Sequence, residues 1–514
     1  RRLFSKMHCI YLRGIEGQEV TVEADVSDGL PGYNLVGYLA SEVREGGDRV
    51  RTAIRNLNLK LPPKRITINL SPAGFRKEGT GFDLAIGAAV LAGYGCFPAG
   101  RLKNSVLLGE LGLDGSMKGV SGALAIAAFA KERGYESLFL PEENVREASV
   151  IQGLRLIAVK SLRHFADMMT GKAPVAASQE TCVRDLDKMN CYDVDFSEVS
   201  GQLLLRKAAE TAAAGMHNML MIGPAGTGKT MVARRMPTIM PAMDLEECIE
   251  ISKIYSVSRL LSDQEPLILK RPFRNPHHTV SPQALAGGGG RPRPGEISLA
   301  SGGILFLDEL PEMGREALET LRQPLEERRV TITRLQGAVT YPANFQLVAA
   351  MNPCPCGHFP DRSRCSCTPA QIRKYLGRIS GPLLDRIDIC VEAAPVSYDE
   401  IRVNKGGESS ASIRSRVARA RKLQARRFRG LGIRCNAEMT GAMIRRFCVL
   451  DTESERLLEE VYQKKGMSAR TYDRILKVAR TIADLENEER IRCAHLYEAL
   501  SFVSAKEQFW GRQE

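Results

Sequence analysis

A chain of 514 residues is too long for a single hydrophobic core, so we expect about two to four domains. With 44% hydrophobic and 26% charged residues the composition is typical of a globular protein. The sequence has no apolar run of about eighteen residues, so we expect no membrane span. The net charge of +12 permits a polyanionic partner without proving one. Thirteen mostly scattered cysteines, and first residues that lack the apolar core of a secretory signal, favour a reducing cytoplasm.

Residues 1 to about 170 are predicted to form a first, α+β domain. Alternating apolar and polar residues predict strands at Val20–Val26 and Ile66–Leu70. Helical spacing predicts helices over 40–58, 83–92 and 123–133, and short apolar runs predict strands over 105–109 and 137–140. This interleaving of predicted strands and helices indicates an α+β domain.

The rest of the chain is predicted to contain two further modules joined by polar segments. Residues 171–195 have few long apolar side chains and read as a linker. A nucleotide-binding module is expected over 196–400, followed by a second joint at 405–412. Apolar spacing predicts that residues 410–510 form an all-helical domain.

The strongest motif is a glycine-rich loop that matches the phosphate-binding pattern G-x-x-x-x-G-K-[ST]. An apolar strand is predicted before it, and a helix that runs as far as Pro237 is predicted after it. Backbone N–H groups at such a helix start bind phosphate oxygens. Lys229 would reach the β- and γ-phosphates, and Thr230 would offer its hydroxyl to Mg²⁺. The predicted ATP-binding residues are Gly223, Pro224, Ala225, Gly226, Thr227, Gly228, Lys229, Thr230 and Met231.

Two adjacent carboxylates follow a second apolar run, Ile304–Leu307, which is typical of a buried parallel strand. Ligands of open α/β sheets bind at the carboxyl ends of such strands. Asp308 would hold the Mg²⁺ shell, and Glu309 would polarise the attacking water. The alternative is simple solvation of a strand end. Together with the glycine-rich loop, the pair predicts an ATP hydrolase.

Four cysteines differ from the others because they fall within fourteen residues. Four thiolates can complete a tetrahedral zinc site, although the C-x-C spacing is tighter than the usual C-x₂-C. His358 could replace one ligand, and four reduced thiols in a loop are the alternative. The predicted zinc ligands are Cys354, Cys356, Cys365 and Cys367.

The chain resembles the AAA+ ATPases of the magnesium-chelatase-like group and, within it, the ComM competence family. The resemblance covers nearly the whole chain. It implies a Lon-protease-like (ribosomal S5 domain 2-like) N-terminal domain, a P-loop core with a parallel sheet, and a C-terminal helical lid. It rests on Gly29-Leu-Pro-Gly32, Arg65–Leu70, Lys77-Glu-Gly79, Phe82-Asp-Leu84, Asp195-Phe196, Gly201-Gln202, Pro276-His-His-Thr279, Arg293–Leu299, Asp308–Pro311, Met351–Gly357 and Ser468-Ala-Arg470.

The resemblance implies a ring, expected to be a hexamer, that hydrolyses ATP at subunit interfaces. Members of the ComM family are similar to a DNA helicase that drives branch migration during recombination of incoming DNA. We therefore expect single-stranded or branched DNA as partner. The alternatives are a magnesium-chelatase-type motor subunit that remodels a protein partner, and a regulatory scaffold that only binds nucleotide.

Three site residues are transferred from the family by position. Asn352 resembles sensor 1, although it could be a turn residue at a strand end. Arg386 resembles the arginine finger, with an ion pair to Asp385 or Asp388 as the alternative. Arg470 resembles sensor 2. Arg474, one turn later, could be the true contact.

Two insertions are expected to face the central channel and grip DNA, with ordinary surface loops as the alternative. One is residues 271–297, with flexible Gly287–Gly290 and the basic Arg291 and Arg293. The other is a β-hairpin over 330–340 with Arg334 near its tip. A basic helix from residue 413 could be a solvated face or could contact DNA or a neighbour's nucleotide.

The first domain is expected to have no peptidase activity. Gly81 stands where the Lon-type nucleophilic Ser would be, and Ser121 or Gly122 stands where the Lys would be. His277 and His278 are expected to have a packing or hydrogen-bonding role.

Overall fold

The computed structural model describes most of the chain, and its described part divides into two compact units. Unit 1 consists of the described residues of 1–189, 245–269 and 331–341. Unit 2 consists of those of 190–244, 270–330 and 342–514. The described residues are 3–57, 59, 61–179, 192–262, 264–290, 292–334, 337–395 and 407–511.

Unit 1 is built on a seven-stranded mixed sheet with the order β3-β4-β2-β1-β5-β8-β9. The β1–β2 and β2–β4 pairs are antiparallel, and the other neighbours are parallel. A separate antiparallel pair is formed by β6 and β7. The strands are β1 (Leu3–Arg13), β2 (Glu16–Ser27), β3 (Gly32–Val36), β4 (Arg65–Ser71), β5 (Ser105–Leu107), β6 (Glu110–Leu111), β7 (Met117–Lys118), β8 (Ser137–Pro141) and β9 (Arg155–Val159).

The alternation of apolar and polar residues that predicted a strand at Val20–Val26 corresponds to alternating burial in β2. Val20, Val22, Ala24 and Val26 are buried, while the residues between them are partly exposed. Successive side chains of a strand point to opposite faces, so one face packs on the core. All eleven residues of the helix Asp83–Gly93 are buried, as its apolar composition requires. The helices of unit 1 are Ser41–Asn56, Asp83–Gly93, Ala123–Glu132, Val145–Ala148, Leu162–Thr170 and Leu245–Val257.

Two segments that were expected in the nucleotide-binding module, residues 245–269 and 331–341, belong to unit 1 instead. The helix Leu245–Val257 is attached by hydrogen bonds: the Gly122 N–H donates to the Ser256 carbonyl at 3.1 Å. The Ser256 hydroxyl donates to Glu147 at 2.6 Å. Unit 1 is therefore assembled from three stretches of chain. Contacts distant in sequence decide this division, which differs from the expected limits of 1–170 and 196–400.

Unit 2 contains a five-stranded parallel sheet with the order β11-β14-β17-β10-β18. The carboxyl ends of all five strands therefore meet at one edge. Unit 2 also contains the two-stranded sheet β12–β13, whereas the two-stranded sheet β15–β16 lies mostly in unit 1, to which residues 331–341 belong. The remaining strands of the chain, in order, are β10 (Met219–Ile222), β11 (Phe273–Arg274), β12 (Gly287–Gly288), β13 (Arg293–Pro294), β14 (Ile304–Leu307), β15 (Arg329–Arg334), β16 (Gly337–Pro342), β17 (Gln346–Met351) and β18 (Ile389–Glu392).

The helices of unit 2 correct the sequence prediction at two boundaries. The helix after the glycine-rich loop continues through Pro237 to Ile239. The first C-terminal helix begins at Ser410, inside the expected joint at 405–412, because Ser409 caps it through its side chain. The helices are Leu203–Gly215, Lys229–Ile239, Pro282–Ala286, Glu296–Leu299, Arg315–Glu319, Arg322–Glu327, Pro369–Leu376, Gly381–Leu384, Ser410–Arg427, Gly441–Phe447, Thr452–Lys465, Ala469–Leu485 and Cys493–Trp510.

The expected α/β architecture with parallel strands and a helical C-terminal region is confirmed. Of the expected linker at 171–195, residues 180–191 lie outside the described part of the chain. Across the described ranges, no helix has the length and apolar character needed to span a bilayer.

A buried charge cluster ties the C-terminal helices together. Asp484, whose side chain is fully buried, accepts hydrogen bonds from Arg427 at 2.5 and 2.7 Å and from Arg480 at 3.2 Å. The Asn436 amide donates to the same carboxylate at 2.8 Å. Removing one partner of such a buried cluster leaves uncompensated charge, which is strongly destabilising.

We predict that Asp484→Asn lowers the free energy of unfolding by about 3–5 kcal/mol. Thermal and urea unfolding followed by circular dichroism would measure the change. The control is Glu460→Gln, which removes an exposed ion pair with Lys464 and should cost less than about 1 kcal/mol. Equal stability of both variants would contradict a structural role for the cluster.

Candidate nucleotide-binding site

The glycine-rich loop joins β10 to the helix Lys229–Ile239, so its backbone turns at the carboxyl edge of the parallel sheet. A Cβ atom at Gly223 would lie 2.4 Å from the Ala393 carbonyl oxygen, which leaves no room for a side chain. Gly228 has a φ of +83°, in the left-handed region that favours glycine. The local geometry therefore requires glycine at both positions.

The side chain of Lys229 lies over this loop. Its ammonium group donates to the carbonyl oxygens of Gly223 at 2.7 Å and Pro224 at 2.8 Å. Burial lowers the pKa of Lys229, and the carboxylate of Asp308 acts in the opposite direction. The lysine is thus a positive charge held against the backbone of the glycine-rich loop, beside the start of the helix where a polyphosphate would bind.

The structure brings the two predicted Mg²⁺ ligands together. The Thr230 hydroxyl donates to Asp308 Oδ2 at 2.9 Å, and the Glu309 backbone N–H donates to Asp308 Oδ1 at 2.9 Å. A hydroxyl and a carboxylate are the hard oxygen donors that Mg²⁺ prefers. Their chemistry fits the metal that accompanies ATP.

Glu309 occupies an uncommon backbone conformation. Its φ is +51°, in the left-handed region, which costs about 1–3 kcal/mol for a residue other than glycine. Its carboxylate lies 3.2 Å from Nδ1 of His278. The neighbouring His277 bonds instead to the Thr279 hydroxyl at 2.9 Å. The expected hydrogen-bonding role of this histidine pair therefore involves the proposed catalytic carboxylate.

A cleft of about 650 Å³ opens beside the loop. Gly226, Thr227 and Gly228 line one part of it, and Asn352 lines another. Gln202, which also lines it, donates through its amide to the carbonyls of Thr227 and Ala394. Asn352 follows β17, the strand between β10 and β14, so the parallel order places its side chain at the same edge.

Arg386 does not line this cleft. Its guanidinium forms an ion pair with Glu326 and donates to the Pro382 carbonyl at 2.6 Å. The alternative partners considered from sequence, Asp385 and Asp388, are not its partners among the ion pairs of the described residues. Asp388 lies instead 3.2 Å from His217.

Arg470 and Arg474 meet at Asp385, also outside the cleft lining. Arg470 Nη1 is 3.2 Å from the Asp385 carboxylate, and its side chain is 79% exposed. The side chain of Arg474 is only 6% exposed and donates to the Asp385 carbonyl at 2.8 Å. Burial alone would raise the pKa of Asp385, but Lys506 and the two arginines lower it. Arg470 is thus the more accessible of the two sensor 2 candidates.

The four clustered cysteines converge as the sequence predicted. Their sulfur atoms all lie within 4.8 Å of one another. The backbone N–H of His358 lowers the pKa of Cys356 to about 5, whereas desolvation raises that of Cys367 to about 11. His358 is not part of this group of four sulfur atoms. Four is the number of ligands that a tetrahedral zinc site uses.

Two of the arginines on the basic helix Ser410–Arg427 form ion pairs within unit 2. Arg416 is bonded to Glu210 at 2.6 Å and to Glu408 at 2.7 Å, so it belongs to an ion-pair network within unit 2. Arg427 is bound to Asp484, as described above. The basic helix is therefore neither a uniformly solvated face nor a row of free cations.

The predicted insertion at 271–297 begins inside the core, because Phe273–Arg274 is an edge strand of the five-stranded sheet. Its glycines pair in part: β12 and β13 form an antiparallel ladder. Arg291 lies outside the described residues. The predicted hairpin is confirmed as β15 paired with β16, and Arg334 is exposed next to a turn whose two residues are not described.

An all-parallel sheet with a phosphate-binding loop after β10, a threonine bonded to an aspartate after β14, and a helical C-terminal region define a P-loop nucleoside triphosphatase. Models of the magnesium chelatase subunit ChlI match this chain in three parts: residues 195–401, 22–144 and, for the C-terminal model, 407–503.

Similar proteins extend the match over the full length. The chain is 41% identical over 497 residues to the competence protein ComM of Haemophilus influenzae, covering 95% of each chain. It is 41% identical over 501 residues to YifB of Escherichia coli, covering 97% of this chain and 96% of YifB. The chain belongs to the ComM family of magnesium-chelatase-like AAA+ proteins, and ATP hydrolysis is the activity that this class suggests.

The structure adds one residue that sequence reasoning left without a specific role. His278 stands thirty-one positions before Glu309, and only the parallel pairing of β11 with β14 makes them neighbours. The adjacent pair of histidines after a short strand was the available signal, but it did not identify a partner.

We predict that His278→Ala lowers the rate constant of ATP hydrolysis about tenfold, because Glu309 loses the ring that fixes its carboxylate. Nucleotide affinity should not change, since the contact of His278 is with the Glu309 carboxylate rather than with the glycine-rich loop. Steady-state ATPase assays and nucleotide titration would measure both. His277→Ala is the matched control and should retain activity; an equal loss in both variants would contradict the assignment.

Proposed function

We propose that this protein is an ATP-driven, ring-forming DNA motor that promotes branch migration during homologous recombination of incoming DNA in natural transformation. The observation that carries the ATP-hydrolysing part is the Thr230–Asp308 hydrogen bond beside the buried Lys229. The competence protein ComM of Haemophilus influenzae, to which the chain is similar, supports the transformation role by its name.

In this proposal the loop residues bind the polyphosphate and the acidic strand end performs the proton transfer. Bound Mg²⁺ would supply charge neutralisation between the phosphate oxygens. Lys229 would exchange its carbonyl partners for phosphate oxygens, and Thr230 and Asp308 would hold the metal. Glu309 accepts the proton of the attacking water, and Asn352 orients that water through its side-chain amide.

The neighbouring subunit completes the site. The described contacts of Arg386 are with Glu326 and Pro382 and not with the glycine-rich loop or the acidic strand end, as expected for a residue that acts in a neighbour's site. Its guanidinium would stabilise the charge on the leaving phosphoryl group. Arg470, which is exposed, would sense the same phosphate. A closed ring, expected to be a hexamer, follows from this requirement for neighbours.

DNA contact is assigned to exposed basic residues near turns. Arg334 next to the β15–β16 turn and Arg293 in β13 are both exposed. Cations on short paired strands can bind a phosphate backbone without reading bases. The channel role of both elements is part of the same proposal.

Unit 1 is proposed to be a Lon-protease-like domain without peptidase activity. Gly81 and the Ser121-Gly122 pair occupy the positions where nucleophile and base would be needed. Its place in the motor is therefore binding rather than hydrolysis of peptide bonds.

We predict that Glu309→Gln retains ATP binding and loses ATP hydrolysis by about 100-fold or more, because the amide cannot accept the proton. Nucleotide titration and phosphate release would measure the two properties. Glu312→Gln, which removes an exposed ion pair with Arg378, is the control. Persistent hydrolysis in Glu309→Gln would refute its role.

The complete function is tested by measuring ATP hydrolysis with and without single-stranded or branched DNA, together with strand displacement. We expect DNA-stimulated turnover with displacement of a strand. Turnover that ignores DNA would favour the magnesium-chelatase-type motor acting on a protein partner. Absence of turnover would favour a regulatory scaffold.

Structural zinc is proposed at the four converging cysteines, because four thiol sulfurs within 4.8 Å of one another match a closed tetrahedral donor set. We predict about one zinc ion per chain by elemental analysis and a lower unfolding temperature after treatment with a strong chelator. Cys493→Ser, which alters a cysteine outside the cluster, should keep the metal. A metal-free protein with unchanged melting would contradict the site.

A further inference from the structure

The cysteine-bearing segment forms one wall of the nucleotide cleft. Cys356, Gly357, His358 and Arg364 line the same cleft as the glycine-rich loop and Asn352. The segment directly follows Asn352 in the chain, so its first residues start at the carboxyl edge of the parallel sheet. A loop that is predicted to hold zinc is therefore also a surface that a bound nucleotide would touch.

The four sulfurs are the main cross-link of this wall. Residues 352–368 contain turns and bends but no helix or strand. Cys354 and Cys356 approach Cys365 at 3.8 and 3.6 Å, which joins the beginning of the segment to its end. Phe359 packs against Phe509 with ring centroids 6.1 Å apart. Local backbone hydrogen bonds, such as that from the Cys365 N–H to the Asp361 carbonyl at 2.9 Å, shape the turns between the cysteine pairs, and the sulfur contacts join the two ends of the segment.

Arg364 is the cationic residue of this wall, and it lines the cleft. It immediately precedes Cys365, so a fixed Cys365 sulfur fixes the backbone that bears the guanidinium. Arg364 is exposed, and among the described residues its guanidinium has neither an ion-pair partner nor a hydrogen-bond partner. The Ser363 hydrogen bonds and, to a lesser extent, the Arg364 charge lower the pKa of Asp361. Arg362, two residues earlier, stacks on Phe359 at 5.2 Å and does not line the cleft.

We propose that the four-cysteine clasp positions Arg364 to bind a phosphate group of the nucleotide in this cleft. The clasp thus supplies a second cation to the site, in addition to the lysine of the glycine-rich loop. This inference rests on the proposed nucleotide-hydrolysing function and adds a binding residue to it. A guanidinium suits this task because it remains charged and presents several N–H donors to phosphate oxygens.

The experiment uses the full-length chain and a fluorescent ADP analogue, displaced by unlabelled ADP. Arg364→Gln should weaken binding about tenfold, the size expected for one charge-assisted hydrogen bond. Arg364→Lys should recover part of that loss because it restores the charge. Arg362→Gln is the matched control on the same loop and should bind as the parent does.

The coupling to the clasp is tested with the Cys365→Ser/Cys367→Ser variant. It should lose its zinc, measured by elemental analysis, and weaken ADP binding by a similar factor. Adding Arg364→Gln to that variant should then cause little further loss, since the arginine is no longer held in place. Circular dichroism and gel filtration show whether each variant keeps the parent's fold and assembly.

Three results would overturn the proposal: unchanged ADP affinity in Arg364→Gln, an equal loss in Arg362→Gln, or full affinity in a folded, zinc-free cysteine variant. Failure of the proposed function looks different, because the parent protein would then not bind ADP at all. Lys229→Ala separates the cases, since it should abolish binding whether or not Arg364 contributes.

Discussion

The hydrogen bond between Thr230 and Asp308 connects two chain segments that are 78 residues apart, and the site depends on it. It forms because β10 and β14 run parallel in one sheet, with only β17 between them. Residues that follow each of these three strands therefore arrive at one edge. The order of the strands, rather than proximity in sequence, brings together the lysine of the loop, the two carboxylates after β14 and Asn352.

Two residues at this carboxyl edge of the sheet, Glu309 and Lys229, are held in unfavourable arrangements. Glu309 adopts a left-handed backbone, and Lys229 is buried against carbonyl oxygens despite its charge. Both arrangements cost free energy, which the surrounding buried strands offset. The burial of Ile304–Leu307 and Met219–Ile222 provides a rigid base for these residues. A strained site on a rigid sheet is typical of a functional centre rather than of an ordinary turn.

Much of the site could be predicted from the sequence because its chemistry is local. The phosphate-binding loop, the two carboxylates and the four cysteines each lie within short segments with characteristic spacing. The contacts of His278 and Arg364 could not be predicted in the same way. Their relevance depends on which strand or loop lies beside the cleft, and a single sequence does not contain that pairing. The basic helix is a further case, since the sequence did not indicate that Arg416 is paired with Glu210 and Glu408.

By itself the sequence determined the class of several elements: the alternating strand β2, the buried helix Asp83–Gly93, the phosphate loop and the helical C-terminal region. Periodicity and glycine spacing encode these directly, because they act over a few residues. Only the tertiary structure decided that Leu245–Val257 and the hairpin segment 331–341 belong to unit 1. Long-range packing and hydrogen bonds, such as that between Gly122 and Ser256, fix such assignments. Those contacts join residues whose separation in sequence carries no local signal.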